Sequence, residues 1–260
     1  MSRPEREVVP AGRPDRGRVG RLFDRLFPPA CVLCRRLMAA GGPAVCRLCL
    51  HRLPAQAPPL CPRCGATRVL EVPGIAGCPA CRPWPPDPAR AAAPYRMEGD
   101  AARLVRALKF GGWFALADPM GEAMAPAARR LVGTGPTPVL TPVPLAAGRR
   151  RERGFNQAAL LARSLSDAGG WPVRDLLVRR PGGRRQARLD RRQRTRNVRG
   201  RFAARPEGRP GDDRPVLLVD DVVTTGATAG ACLEALRAGG RRVLGVVAFA
   251  RALHTIGKRR

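Results

Sequence analysis

No apolar run in the 260 residues approaches the roughly 18 needed to cross a bilayer, so no membrane span is expected. The first residues, MSRPEREVVPAGRPDRGRVG, contain no apolar signal core, and a cytoplasmic, reducing setting is expected. Lysine is nearly missing: only Lys109 and Lys258 occur. Aromatics are scarce, with seven Phe, three Trp and one Tyr, which favours contact with a nucleic-acid backbone over base stacking. Neither G-x-x-x-x-G-K-[ST] nor G-x-G-x-x-G is present, which argues against a P-loop nucleotidase or a dinucleotide-binding turn. Acidic residues are outnumbered 20 to 48, for a net charge of +28. That balance suits anionic partners: phosphates, nucleic acid or an acidic surface. An arginine bias beside abundant Ala, Gly and Pro also fits a high-GC genome, so local clusters are more informative than the total.

What is present is concentrated. Residues 216–228 read VLLVDDVVTTGAT. Val216, Leu217, Leu218 and Val219 have the pattern of a strand buried on both faces, as in a parallel sheet. Asp220 and Asp221 stand where that strand ends, followed by Thr224, Thr225, Gly226, Ala227, Thr228 and an apolar helical segment. Open α/β sheets bind ligands at the carboxyl ends of their strands. Backbone N–H groups at a helix start, with hydroxyls and a glycine that permits close approach, form a cradle for phosphate. The paired carboxylates suit vicinal ribose hydroxyls, which can donate to them. These groups describe a site for a 5-phosphorylated ribose. The stretch resembles the 5-phosphoribosyl-1-pyrophosphate (PRPP) signature of the type I phosphoribosyltransferases.

Eight of nine cysteines form four C-x-x-C pairs: Cys31/Cys34, Cys46/Cys49, Cys61/Cys64 and Cys78/Cys81, separated by 11, 11 and 13 residues. In a reducing setting such pairs are metal knuckles more readily than disulfides, and two knuckles complete a tetrahedral thiolate site for structural zinc. Two sites are expected, with sequential pairing first and interleaved pairing as the alternative; an iron–sulfur cluster or redox-active pairs are the other chemistries. About 60 Pro- and Gly-rich residues cannot build a core alone, so metal is expected to supply the folding energy. His51 reads as an exposed loop residue and Cys232 as a buried core thiol.

Between these landmarks, residues 21–27 form a short amphipathic stretch and residues 82–94 a Pro-rich linker. Helices are expected over 100–110 with Asp100 as N-cap, over 115–131, over 155–168 and after the phosphate loop. Strands are expected from Val139 into TPVPL, at 173–178, at 216–219 and at 243–249. The alternation implies a parallel sheet flanked by helices. The organisation expected is a disordered arm (1–20), a double zinc-ribbon module (21–83), a Pro-rich linker (84–94), an α/β domain (95–252) and a basic tail (253–260).

Three further segments carry chemistry. In PVPLAAGRRRERGFNQA, Arg149, Arg150, Arg151 and Arg153 precede a helix that starts near Asn156 and Gln157. Guanidinium forks suit pyrophosphate oxygens, and cations at a helix start oppose its dipole unless an anion is bound. Residues 184–202 hold nine arginines against Asp190 alone, which fits a solvated loop, a lid over a diphosphate, or a grip on a nucleic-acid backbone. Lys109 ends a helix, where it is a dipole partner or a site residue.

The order C-x-x-C pairs, ALKFGG, PVP…RGFNQA, Q-x-x-L…R-x-x-N-V-x-G-x-F (Gln186, Leu189, Arg194, Asn197, Gly200, Phe202) and VLLVDDVVTTGAT is similar to the competence protein F (ComF) family across residues 22–250. The resemblance implies a double zinc ribbon joined to a type I phosphoribosyltransferase-like parallel sheet flanked by helices. It also implies PRPP with Mg²⁺ as donor. Thr224, Thr225, Gly226, Ala227 and Thr228 would hold the 5-phosphate, with Asp220 and Asp221 on the ribose. Arg149, Arg150, Arg151, Arg153, Asn156, Gln157, Gln186, Arg194, Asn197 and Lys109 are the candidates for the pyrophosphate and its loop. No segment reads a purine or pyrimidine, so the acceptor stays open. The alternative is a non-catalytic PRPP- or nucleotide-binding protein, or one that handles single-stranded DNA during DNA uptake, with a helicase-type competence partner.

Overall fold

The computed structural model describes residues 29–39, 42–67, 78, 90–181, 200–205 and 213–252. The arm 1–20, the stretch 21–27, Cys81, most of the linker, the arginine-rich residues 184–199 and the tail lie outside the described residues.

In chain order the described elements are α1 (Arg47–His51), β1 (Arg90–Ala92), β2 (Tyr95–Arg96), α2 (Gly99–Phe110), a 3-10 turn (Phe114–Leu116), α3 (Ala117–Val132) and β3 (Val139–Pro142). They continue with α4 (Ala147–Arg153), α5 (Gln157–Gly169), β4 (Leu177–Arg179), β5 (Phe202–Ala204), β6 (Val216–Val223), α6 (Ala227–Ala238) and β7 (Val243–Arg251). β1 and β2 pair in succession with β7, β7 pairs with β6, and β6 with β3, all parallel. β4 and β5 make a separate antiparallel pair.

Side-chain alternation on β6 and β7 divides the core in two. Leu217, Val219, Val247 and Phe249 pack with Leu104 and Leu108 of α2, Met120 and Met124 of α3 and Leu161 and Leu165 of α5. Val216, Leu218, Val246 and Ala248 pack with Cys232, Leu233 and Leu236 of α6 and with Leu177 and Phe202. The strand expected at 216–219 runs on to Val223, so Asp220 and Asp221 lie within β6, past the last residue paired with β3 and still beside β7. The α/β class, with its parallel sheet flanked by helices, is as expected from the alternation of elements.

Several details differ from the sequence expectation. Residues 90–92, expected as linker, form the edge strand: extended, Pro-rich backbone is ready to pair once a neighbour is in register. Asp100 does not cap α2; Glu98 holds that position without a side-chain bond, and Asp100 pairs with Arg103 at 2.8 Å inside the first turn. The strand expected at 173–178 is broken. Val173 bridges Leu140, then Leu176 N–H donates to Arg174 O at 3.1 Å in a tight turn, and only Leu177–Arg179 pairs, antiparallel, with Phe202–Ala204. The segment before α5 is also helical: α4 ends at Gly154 (φ 76°), so Arg150, Arg151 and Arg153 occupy its last turn. There they favour the helix dipole, and the dipole argument for a bound anion at these arginines does not hold.

The cysteine module clings to the sheet. Cys31, Leu33, Val45, Cys46 and Leu53 belong to the core on the α2–α3 face, while Cys61, Cys64 and Ala66 pack with Ala91 on the α6 face. Between them, Gln56 N–H donates to Pro94 O and Arg96 N–H to Pro54 O, each at 2.8 Å. Ala91 N–H donates to Arg63 O, also at 2.8 Å. The module therefore straddles and hydrogen-bonds the edge formed by β1 and β2.

Candidate functional site

The carboxyl end of β6 opens directly into the hydroxyl-rich loop. Gly226 is the N-cap of α6 at φ 78°, a conformation that costs any residue with a Cβ. No side chain occupies the cap in the manner of Ser or Asp; Thr225 Oγ1 lies 3.4 Å from Ala227 N. The first turn of this 12-residue helix carries no acidic residue, so its dipole favours an anion. Thr224 is exposed, and Thr225, Ala227 and Thr228 are half-buried. Beneath the loop, Arg251 at the end of β7 is 2% exposed and donates from Nη1 to Thr224 O at 3.0 Å.

The adjacent acids point to opposite faces of the sheet, as a strand requires. Asp221 is buried, 4% exposed at its side chain, and its Oδ2 forms an ion pair with Lys109 Nζ from the last turn of α2. Asp220 lies toward α6 and accepts from Asp221 N–H at 2.9 Å through Oδ1. Burial, and then the neighbouring Asp221, hold the Asp220 carboxyl well above its ordinary 3.8. Cys232 behind it is fully buried, and its thiol is pushed up by burial and then by Asp220. That agrees with its reading as a core thiol.

The remaining candidates divide. Asn156 caps α5, with Oδ1 accepting from Ala158 N at 3.1 Å and Nδ2 donating to Val143 O at 3.1 Å, so both ends of its amide serve the local backbone. Gln157 is buried and accepts from Arg153 Nη1 at 3.2 Å. The Arg153 guanidinium lies 4.7 Å over the Phe110 ring. Arg149, Arg150 and Arg151 are exposed on α4. Gln186, Arg194 and Asn197 lie outside the described residues.

Two groupings escaped the sequence reading. Arg179 of β4 is held below its ordinary value by burial and then by the charges of Arg149 on α4 and of Arg201 beside β5. Four of the eleven aromatics are also gathered: Phe110, Trp113 and Phe114 are 70%, 48% and 47% exposed, and Phe114 meets Phe155 edge-to-face at 4.7 Å. Composition alone reports scarcity and hides this concentration.

The thiolates form two groups, with all ligand atoms in each within 4.8 Å of one another: Cys31, Cys34, Cys46 and Cys49, and Cys61, Cys64 and Cys78. This is the sequential pairing. Burial raises the Cys31 thiol, but N–H groups of Cys34, Cys46 and Leu33 outweigh it and bring its pKa to about 6, as befits a metal ligand. The soft, converging donor set fits zinc. His51 is exposed on α1 and takes no part.

A parallel α/β sheet carrying an N-terminal cysteine ribbon is thus the class of protein defined by fold and site. Residues 22–82 match the double zinc ribbon domain. The chain is 35% identical over 114 residues to competence protein F of Haemophilus influenzae, a stretch that is 44% of this chain and 50% of that protein. The chain thus spans about half the length of that relative. Among solved structures it is similar to the allosteric regulatory enzyme of purine biosynthesis, at 20% identity and a TM-score of 0.31, over 50% of this chain and 26% of that one. It is also similar to glutamine PRPP amidotransferase from B. subtilis, at 21% identity and a TM-score of 0.33, over 50% and 25% of the two chains. Among the described residues no helix is long and apolar enough to cross a membrane.

Proposed function

We propose that the protein is a phosphoribosyltransferase-type protein that binds Mg²⁺–PRPP at the end of β6 and transfers its phosphoribosyl group to an acceptor. The observation that carries this reading is the open N-terminus of α6 behind left-handed Gly226, at the carboxyl end of a central parallel strand whose last stretch before Thr224 carries Asp220 and Asp221. The 5-phosphate would be held by N–H groups and hydroxyls of Thr224–Thr228. The carboxylates of Asp220 and Asp221 would receive the ribose hydroxyls and face the positive charge that develops on the ring. Mg²⁺, arriving on the diphosphate, would neutralise its charge.

In the transfer, the bond between the anomeric carbon and the pyrophosphate oxygen breaks, and its electron pair leaves with pyrophosphate. A lone pair of the acceptor forms the new bond, and the acceptor's proton passes to solvent. The protein contributes position and electrostatics. The test is pyrophosphate release from Mg²⁺–PRPP by zinc-loaded protein, with and without a pool of nucleobases and amines. Release that depends on one member of the pool supports a transferase, and release abolished in Asp220→Asn/Asp221→Asn places it at this site. No release leaves PRPP binding without turnover, read by calorimetry, and absence of binding sinks the reading.

A second reading, binding of single-stranded nucleic acid, is favoured by the exposed Phe110, Trp113 and Phe114 beside the arginines of α4. Rings that stack bases next to cations that meet phosphates are the two elements such a surface needs. Its test is retention of a fluorescent oligonucleotide across a salt series.

A further inference from the structure

We propose that Arg251 is a positioning residue that locks the Thr224–Thr225 peptide plane so that the phosphate loop is formed before its ligand arrives; the inference rests on the phosphate-site reading of that loop. A guanidinium that is 2% exposed is costly to bury and is kept only where it meets fixed acceptors. One of these is the Thr224 carbonyl, at 3.0 Å from Nη1.

A peptide group is planar, and in the trans form its C=O and N–H point in opposite directions. The Thr224–Thr225 bond is trans, since the cis peptide among the described residues is Pro58–Pro59. A carbonyl turned inward to Arg251 therefore turns the Thr225 N–H outward, to the side where the loop receives an anion. A flip of this plane would present a carbonyl to the phosphate instead, exchanging attraction for repulsion. Arg251 is itself held on both sides of its side chain: its carbonyl accepts from Met97 N–H at 2.8 Å, and Ala252 N–H donates to Val223 O at 2.9 Å. The frame that aims the guanidinium is thus the sheet itself, whereas within the loop Thr225 Oγ1 accepts from Ala227 N–H at a long 3.4 Å. The fixed positive charge under the loop adds to the attraction for an anion above it.

The experiment uses the full-length, zinc-loaded protein and its Arg251→Met and Arg251→Lys variants. Amide exchange over residues 224–228 is measured without ligand, and affinities for Mg²⁺–PRPP and ribose 5-phosphate are measured by calorimetry. Arg251→Met is expected to speed exchange selectively at Ala227, whose N–H is held by Thr225 Oγ1, and to weaken both phosphate ligands by about tenfold, the loss typical of a hydrogen bond to a charged group. Arg251→Lys, which keeps charge but loses the planar fork, is expected to fall between. Exchange accelerated evenly over the whole sheet marks a purely structural role and overturns the proposal, as do unchanged exchange and unchanged affinity. If Arg251→Met does not fold, the same two readouts on Arg251→Lys decide. If wild-type protein binds neither ligand, the phosphate-site reading fails. The peptide-plane lock is then judged by exchange alone, with selective acceleration at Ala227 upholding it and none overturning it.

Discussion

The Lys109 ammonium and the Asp221 carboxylate form an ion pair that ties the end of α2 to the carboxyl end of β6. One of two lysines in the chain is thus spent on the second of the two site acids. The pair gives Asp221 its counter-ion in a buried setting, whereas burial and Asp221 favour the protonated form of Asp220.

Removing the cation should cost more than removing both charges. Lys109→Met leaves a carboxylate buried without its counter-ion and is expected to destabilise the fold by about 3 kcal/mol. Adding Asp221→Asn should recover part of that loss. Urea unfolding of the single and double variants checks it, and equal stability of Lys109→Met and wild type would show that the pair does not hold the fold.

Stability of the ligand-free protein should fall as pH rises through the raised value of Asp220. Burial and then Asp221 hold that carboxyl well above 3.8, so the folded protein keeps a proton that the unfolded chain has already lost. Its contribution is complete below the ordinary carboxyl range and disappears above the raised value. Denaturant midpoints measured across pH should show this decline, and Asp220→Asn should flatten it.

Gly226→Ala forces a Cβ into the left-handed region and is expected to cost about 1 kcal/mol. The larger effect should fall on ligand binding, because the loop turns at that residue. Calorimetry with Mg²⁺–PRPP is expected to show at least a tenfold loss, roughly the value of one charge-assisted hydrogen bond.

Metal analysis should return about two zinc ions per chain, one for each thiolate group. Cys46→Ser is expected to lose one and keep the other. Proteolysis of the ribbon is expected to accelerate on chelation, as it does where bound metal supplies folding energy.

On the exposed aromatic surface, Trp113→Ala should weaken binding of an oligothymidylate about tenfold without altering its salt dependence, as expected for one lost stacking contact. Replacing Arg149, Arg150 and Arg151 with Gln should instead flatten the salt dependence. An oligonucleotide that binds wild type and Trp113→Ala equally well would remove the aromatics from that role.

The local parts of the site were legible in the sequence because they are contiguous. Val216–Val219, the two acids and the Thr-Gly loop succeed one another in one strand–loop–helix, and the C-x-x-C spacing confines each pair of thiols to one knuckle. What depends on register was not legible. Arg251 reads as an ordinary charge closing an apolar strand until β7 is set beside β6 and the guanidinium comes to rest under Thr224. Lys109 was singled out by composition, but its partner lies on an element distant in sequence. The place of the α4 arginines relative to a helix start was not legible, because a left-handed glycine at 154 ends one helix and lets another begin three residues later.

The ribbon's grip on β1 and β2 bears on how the protein is made as well as on how it stands. Its residues 54–56 and 63 complete the hydrogen bonding of an edge that would otherwise present free N–H and C=O groups to other chains. A chain synthesised without metal is expected to leave this edge uncovered and open to its own copies, and the fraction recovered as dispersed protein from zinc-depleted medium checks it.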